Sequence, residues 1–399
     1  MRICVTGIGC ISGIGTNVAG HLRSFREEKD GLGKVTLFST RHNIPVAEVK
    51  RDNRALHRMA GADGASALSR TALLGMVAAD EAFRDAGLDR LPDDARLRIG
   101  LVSSTSTGGM DLTESLFYPS FHKDPAYGRL RYVASHDAAD STERIVARLG
   151  LTGFRTTVST ACSSSANAIL LGARMIRQGL LDVVIAGGTD ALCRFTLNGF
   201  HALMILDREP CRPFDANRAG LNLGEGAGYL VLQSEDTLRR QPYCLLSGYA
   251  NANDAFHQTA SSGDGDGAYL AMKGALGKAG LKPEEISYIN AHGTGTPNND
   301  ASESKAIRRL FGEKVPPFSS TKAFTGHTLG ASGGLEAVFS VLSVHKGILY
   351  PNLHFADPIP ETNLLPVTRY QEGLSVDAVL SNSFGFGGNN TSLLFRSFN

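Results

Sequence analysis

The chain has 399 residues, 42% hydrophobic and 20% charged, with 40 basic and 39 acidic side chains and a formal charge of +1. That balance describes a globular protein with a large core, built as one large domain or two fused ones. It shows neither the overall basic footprint of a nucleic-acid binder nor a strongly acidic surface, leaving only local patches for docking a charged partner.

The N-terminus, MRICVTGIG, runs straight into a strand-like segment without a signal-peptide pattern, and no apolar window is long enough to cross a bilayer. Cys4, Cys10, Cys162, Cys193, Cys211 and Cys244 lie far apart, with no CxxC pair or zinc-ligand spacing. A reducing, cytoplasmic location is the expectation. No low-complexity linker divides the chain, and the most loop-like spot is DGDG at residues 264–267. VTGIGCISG at residues 5–13 resembles part of a dinucleotide-binding loop, but only Gly7 and Gly9 fall in register, with Ser12 at the third place. Tight-turn glycines are the reading, and no nicotinamide cofactor is expected.

The first chemical signal is VSTACSSSA at residues 158–166. Residues 154–158 read as a buried strand, and residues 163–178 as a helix with Ala166, Ile169, Leu170, Ala173 and Ile176 at helical spacing. Cys162 then stands at the helix's first turn, where unpaired N–H groups and the macrodipole favour thiolate and could hold an oxyanion. The competing reading is a small buried hydrophobe, the commoner fate of cysteine. LDVVIAGGTD (181–190) and GYLVLQS (228–234) are strands separated by a long stretch, residues 193–225, which reads as a lid or interface insert.

In the second half, a strand over residues 286–291 delivers His292 into the glycine-threonine turn of YINAHGTGTP (288–297). SSTKAFTGHTLGASGGLEA (319–337) ends a strand at Thr321, places Lys322 and His327 in the next loop, and starts a helix over residues 333–346. VDAVLSNSFG (376–385) and a strand over 391–397 follow. Each histidine taken alone reads more readily as a hydrogen-bonded structural residue than as a catalyst, and it is the placement of two of them at strand ends that favours function. Strand, helix, glycine-ended strand and second strand thus occur twice, the signature of an internal duplication. The halves are expected at residues 1–240 and 241–399, with the active site where they meet and the His327 loop occupying the place of Cys162.

Taken together, VSTACSSS, NAHGTGTP, TKAFTGHTLGASGG and NSFGFGGNN (382–390) resemble a β-ketoacyl-acyl-carrier-protein synthase of the elongating Cys-His-His, type II kind, in the thiolase-like superfamily. The likeness runs over essentially the whole chain. It implies an α/β thiolase-like duplicated fold, two mixed sheets with layered helices in an αβαβα sandwich. It makes Cys162 the acyl-holding nucleophile, the N–H groups of Cys162 and Phe386 the oxyanion hole, and His292 and His327 donors to an enolate, with Lys322 adding positive charge. Thr294 and Thr296 match a pair that binds the phosphopantetheine arm, Phe386 an aromatic gate, and Phe384 and Thr107 substrate-contacting positions. Turn satisfaction for the threonines and core packing for Phe386 are the competing readings. Glu336 reads either as a hydrogen-bonding support for the His327 loop or as an ordinary first-turn helix carboxylate.

The resemblance implies no metal or redox cofactor, an acyl carrier protein as partner, and a dimer, either of identical subunits or with a ketosynthase-like chain-length partner. Thr107 stands where many such enzymes carry a bulky aliphatic residue, which suggests a less obstructed acyl pocket. Ala219, Leu221, Asn298, Asn299 and Asp300 also depart from the usual pattern. Fatty-acid elongation and a specialised polyketide or aryl-polyene route both remain open. A non-catalytic chain-length subunit is disfavoured by Cys162, and a thiolase by the lack of any cysteine after Cys244.

Overall fold

The computed structural model describes residues 1–62, 67–91, 97–120 and 133–398. Its strands are β1 (Ile3–Ser12), β2 (Leu32–Gly33), β3 (Val46–Ala47), β4 (Ile99–Ser104), β5 (Arg155–Val158), β6 (Val183–Asp190), β7 (Gly226–Ser234), β8 (Cys244–Asn253), β9 (Tyr288–Asn290), β10 (Phe318–Ser319), β11 (Ala378–Gly385) and β12 (Asn389–Arg396). Its helices are α1 (Val18–Arg26), α2 (Asn53–Met59), α3 (Arg70–Asp85), α4 (Met110–Ser120), α5 (Ala138–Leu149), α6 (Ser164–Arg177), α7 (Arg194–Ala202), α8 (Asp266–Ala279), α9 (Pro297–Phe311), α10 (Lys322–Thr325) and α11 (Ser332–Lys346).

The strands repeat one arrangement twice. In the order β5-β4-β6-β7-β1, β5, β4 and β6 run parallel, while β7 is antiparallel to both β6 and β1. The order β10-β9-β11-β12-β8 has the same directions. These are the two mixed sheets expected from the duplication, and they are continuous with each other. A short antiparallel ladder, Cys4 with Leu245 and Val5 with Cys244, joins them into ten strands. β2 and β3 form a separate two-stranded ribbon.

Helices α6 and α11 lie between the halves, each packing against strands of both. All five apolar positions expected on α6 are buried. In α11 every residue from Ser332 to Ser343 is buried, the mark of a helix enclosed on all sides. Leu335, Val338, Phe339 and Leu342 each contribute on the order of 1.5–3 kcal/mol of apolar burial, offset by the ordering of the chain. The two N-termini meet, as the duplication predicts: Gly334 N–H donates to Ser165 Oγ at 2.7 Å. Outside, α3 covers β1 and β7, and α8 covers β8 and β12, completing the layers.

The glycines of VTGIG have a different cause from the one expected. Gly7 and Gly9 lie inside β1, not in a turn. A Cβ at Gly9 would sit 2.2 Å from the Ala78 carbonyl oxygen, so α3 can seat on this strand only if the side chain is absent. That approach lets the carboxylates of Asp85 and Glu81 accept the N–H groups of Ile8 and Cys10, each at 2.9 Å. Beyond the short ladder with β8, two helix side chains thus serve as the missing neighbouring strand.

Candidate active site

Residues 159–163 turn the chain from β5 into α6. Ala161 has φ 52°, a left-handed conformation that costs an alanine about 1 kcal/mol and is held by the surrounding turn. Thr160 N–H donates to Ser164 Oγ (2.8 Å) and Ser164 N–H to the Ala161 carbonyl (3.1 Å). Ser163 is the N-cap, so Cys162 stands just outside the helix instead of in its first turn. Its thiol is 5% exposed, and burial pushes its pKa up to about 11. The Phe386 N–H and the charge of Lys322 pull the other way but do not win, so the expected thiolate gives way to a resting thiol. The segment bearing Phe386 passes close by: a Cβ at Gly385 would lie 3.2 Å from the Cys162 backbone nitrogen.

The second half supplies the polar groups. His292 follows β9, and Glu303 of α9 accepts the N–H groups of His292 (2.9 Å) and Gly293 (2.8 Å). Lys322 Nζ donates to the His292 carbonyl at 2.6 Å, lies 3.3 Å from His292 Nδ1, and forms a buried ion pair with Glu336. His327 Nδ1 accepts the Leu329 N–H at 3.2 Å and faces Ser332 Oγ at 3.0 Å. The two rings stand 5.5 Å apart and nearly perpendicular. Burial first, then the charge of Lys322, holds both imidazoles well below the usual histidine pKa. Both are therefore neutral. Since each Nδ1 accepts, the hydrogen is assigned to Nε2, leaving two N–H donors free of these contacts.

Glu336 is the fifth residue of α11, past its first turn, and points to Lys322. Its ion pair with Lys322 ties α11 to the segment that leads into the His327 turn. Burial raises its carboxyl to about 7 against the pull of Lys322. Glu303 is raised to about 7 by burial as well.

Cys162, His292 and His327 line one cavity of about 380 Å³, together with Thr294, Thr296, Phe384 and Phe386. The insert closes it through Phe200, Leu203, Met204, Ile205, Ala219 and Leu221, while Asn298 and Asn299 stand at its rim. A second cavity of about 430 Å³ lies beyond Cys162, walled by Thr107, Phe195, Gly199, Phe200, Leu203 and Leu329. Phe386 and Phe200 border both, their rings stacked at 5.7 Å. Phe386 thus lies between the chambers, in a turn where Gly387 has φ 79°. Thr294 and Thr296 share a hydroxyl contact at 2.9 Å, and Thr296 N–H donates to Thr294 Oγ1 at 3.2 Å. They satisfy their turn and face the cavity at once. Phe384 packs its ring 5.7 Å from His292.

Sequence reasoning missed Glu303, Ser332, Phe200 and Asp190. Phe200 and Asp190 act on residues brought close only by folding, and no motif spacing marks Ser332, which meets His327 five residues earlier. A carboxylate in the helix after the His292 turn was the one available signal, for Glu303.

Comparison with known proteins identifies the family. Residues 1–237 match the family described as "Beta-ketoacyl synthase, N-terminal domain", and residues 243–356 the one described as "Beta-ketoacyl synthase, C-terminal domain". The 3-oxoacyl-(acyl-carrier-protein) synthase 2 of Staphylococcus aureus (strain N315) is 35% identical over 410 residues, covering 100% of this chain and 98% of the relative. Among solved structures, the ishigamide ketosynthase/chain length factor has TM-score 0.91 and 30% identity, covering 100% of this chain and 99% of that one. A ketosynthase of Xenorhabdus doucetiae in complex with its chain length factor has TM-score 0.83 and 32% identity, covering 100% and 98%. With one family match over each half and a relative aligned from end to end, the chain belongs to the beta-ketoacyl synthase family.

Proposed function

We propose that this condensing enzyme takes an acyl group from a carrier-protein thioester onto Cys162 and joins it to the two-carbon unit of a malonyl-carrier thioester. In the first step Sγ attacks the thioester carbonyl. The N–H groups of Cys162 and Phe386 stabilise the oxyanion, and the thiol's proton leaves with the carrier's thiol. In the second step the malonyl group loses carbon dioxide. The enolate oxygen that forms accepts hydrogen bonds from His292 and His327 Nε2–H, while Lys322 contributes positive charge beside them. The enolate carbon attacks the acyl-cysteine carbonyl, the Cys162 sulfur departs, and the product is a β-ketoacyl chain two carbons longer. The balance of this reaction requires no metal or redox cofactor.

The observation that carries this reading is the meeting of a thiol from one half with two neutral imidazoles from the other in a single cavity. Neutral donors suit an enolate, because they stabilise charge as it develops without neutralising it beforehand. Thr294 and Thr296 line the route a phosphopantetheine arm would follow, Phe384 and Phe386 flank the thiol, and Thr107 walls the acyl chamber. Residues 1–240 and 241–399 are the two halves, supported by the repeated strand order.

The primary assignment is fatty-acid elongation, which the 3-oxoacyl-(acyl-carrier-protein) synthase relative supports. A second reading is a specialised type II polyketide or aryl-polyene route, favoured by the likeness to ketosynthases paired with chain length factors. An acyl carrier protein is the partner, and the working unit is a homodimer, or a heterodimer with a chain-length subunit. A cytoplasmic site fits the unpaired state of all six cysteines. Among the described residues no helix is long and apolar enough to cross a membrane.

Incubating the enzyme with acyl-carrier thioesters of graded length and weighing the intact protein should show one acyl group, absent from Cys162→Ala. With malonyl-carrier added, wild type should release carbon dioxide and a chain two carbons longer. Elongation by the alanine variant would refute the assignment. The acyl group retained when the enzyme is isolated from its host separates the two pathways.

A further inference from the structure

Asp190 closes β6 and is fully buried, yet it belongs to none of the described ion pairs. Its carboxylate is met entirely by uncharged donors. Thr105 Oγ1 (2.6 Å), Ser106 N–H (3.0 Å), Ser106 Oγ, Thr107 N–H (3.2 Å) and Thr107 Oγ1 (3.0 Å) come from the segment following β4. Gly330 N–H (2.7 Å) comes from the other half of the chain. The same Gly330 N–H lies 3.1 Å from Ser106 Oγ, so the two segments are tied to each other as well.

Both segments matter to the proposed reaction. Gly330 follows Leu329, whose N–H donates to His327 Nδ1 and so sets that ring's orientation and tautomer. Leu329 has φ 53°, a strained conformation for a leucine, which the surrounding contacts must hold in place. On the other side, Thr107 and Leu329 are walls of the chamber beyond Cys162. A buried carboxylate without a cation costs several kcal/mol unless its hydrogen bonds are complete. Here they are complete, in the arrangement of an anchor.

We propose that Asp190 is a positioning residue that ties the His327 turn to the acyl-chamber wall, so that enolate donor and acyl thioester are held in one fixed relation. The inference rests on the roles given above to Cys162 and His327. It goes beyond them in assigning their mutual placement to one carboxylate that touches neither substrate nor thiol.

The test compares wild type, Asp190→Asn and Ser106→Ala. The asparagine keeps the shape but turns an NH2 toward backbone N–H donors. Displacement of a catalytic group by even 1 Å costs up to about 100-fold, so kcat for carbon dioxide release from malonyl-carrier should fall at least about tenfold in Asp190→Asn, with KM changed less than about twofold. Ser106→Ala keeps the carboxylate and loses two ties, and its kcat should fall less.

A second readout does not depend on turnover. The groups acting on the Cys162 thiol are burial, the Phe386 and Cys162 N–H groups, Lys322 and Asp190, the last of which raises its pKa. Iodoacetamide alkylation should therefore move to lower pH in Asp190→Asn and stay in place in Ser106→Ala. A kcat within twofold of wild type in Asp190→Asn overturns the proposal, as does a kcat loss matched by an equal rise in KM. If Asp190→Asn fails to fold, an unchanged kcat in Ser106→Ala overturns it. If wild type releases no carbon dioxide, the proposed function fails first, and an unmoved alkylation profile in Asp190→Asn would then dispose of the anchor separately.

Discussion

The two strand-to-helix junctions of the duplicated fold occupy equivalent places and have opposite chemistry. From β5 to α6 the chain turns through residues 159–163, a tight elbow with Ala161 in the left-handed region and a neutral thiol at its tip. From β10 to α11 it takes residues 320–331, long enough to hold the short helix α10, His327 and the buried Lys322, which pairs with Glu336 of α11. One backbone plan was thus elaborated in opposite directions. A short junction aims a single atom, whereas a long one can bury charge and place two side chains. The ends of β6 and β11 differ in the same way: Asp190 terminates one with a carboxylate, Gly385 the other with no side chain, which leaves room for the elbow.

The sharpest way to break this division of labour is to remove one function from each junction. His327→Ala should lower carbon dioxide release by about 100- to 10,000-fold, the range for losing a positioned donor or acid-base group, while Cys162 still accepts an acyl group. Intact-mass and carbon dioxide assays on the same sample decide it. If acyl loading collapses in parallel, the junctions do not divide the reaction as described.

A smaller effect is expected from the charge buried at the long junction. Lys322→Ala leaves Glu336 buried beside the His292 carbonyl without its cation, which should cost about 3–5 kcal/mol in urea unfolding if Glu336 stays ionised. The raised Glu336 pKa gives the sign of the pH dependence. Its folded value, about 7, lies above the ordinary 4.5, so the folded state holds the proton more tightly. Its contribution to stability is therefore fullest below pH 4.5 and is lost as pH rises through 7. Without Lys322 the folded value should rise further and extend that loss to higher pH. A Lys322→Ala protein as stable at pH 8 as at pH 6 would contradict this account.

The mildest test concerns the short junction. With its pKa near 11, the Cys162 thiol is protonated at neutral pH, so the rate of its alkylation should rise about tenfold per pH unit from 7 to 9.5. A plateau by pH 8 would mean that the helix end outweighs burial after all.

Much of the arrangement was legible in the sequence because it depended on local pattern. The echo of residues 181–190 in 376–385 located β6 and β11, and helical spacing on α6 named its buried face correctly. Cys162, His292, Lys322 and His327 stood in recognisable turns. The errors were those of reasoning from one element at a time. A helix end argued for thiolate, but burial from every side decided the thiol's state. Gly7 and Gly9 suggested a turn, yet the requirement came from α3, which lies many residues further along the chain.

Periodicity, turn residues and motif spacing by themselves determined the elements, their repetition and the candidate reactive side chains, because those properties reside within short stretches of chain. Only the tertiary structure decided protonation, tautomer and mutual placement. Desolvation of the Cys162 thiol, the Lys322 ammonium beside His292 and the Asp190 carboxylate joining two halves arise from groups far apart in sequence, and they act only once folding has brought those groups within a few ångströms.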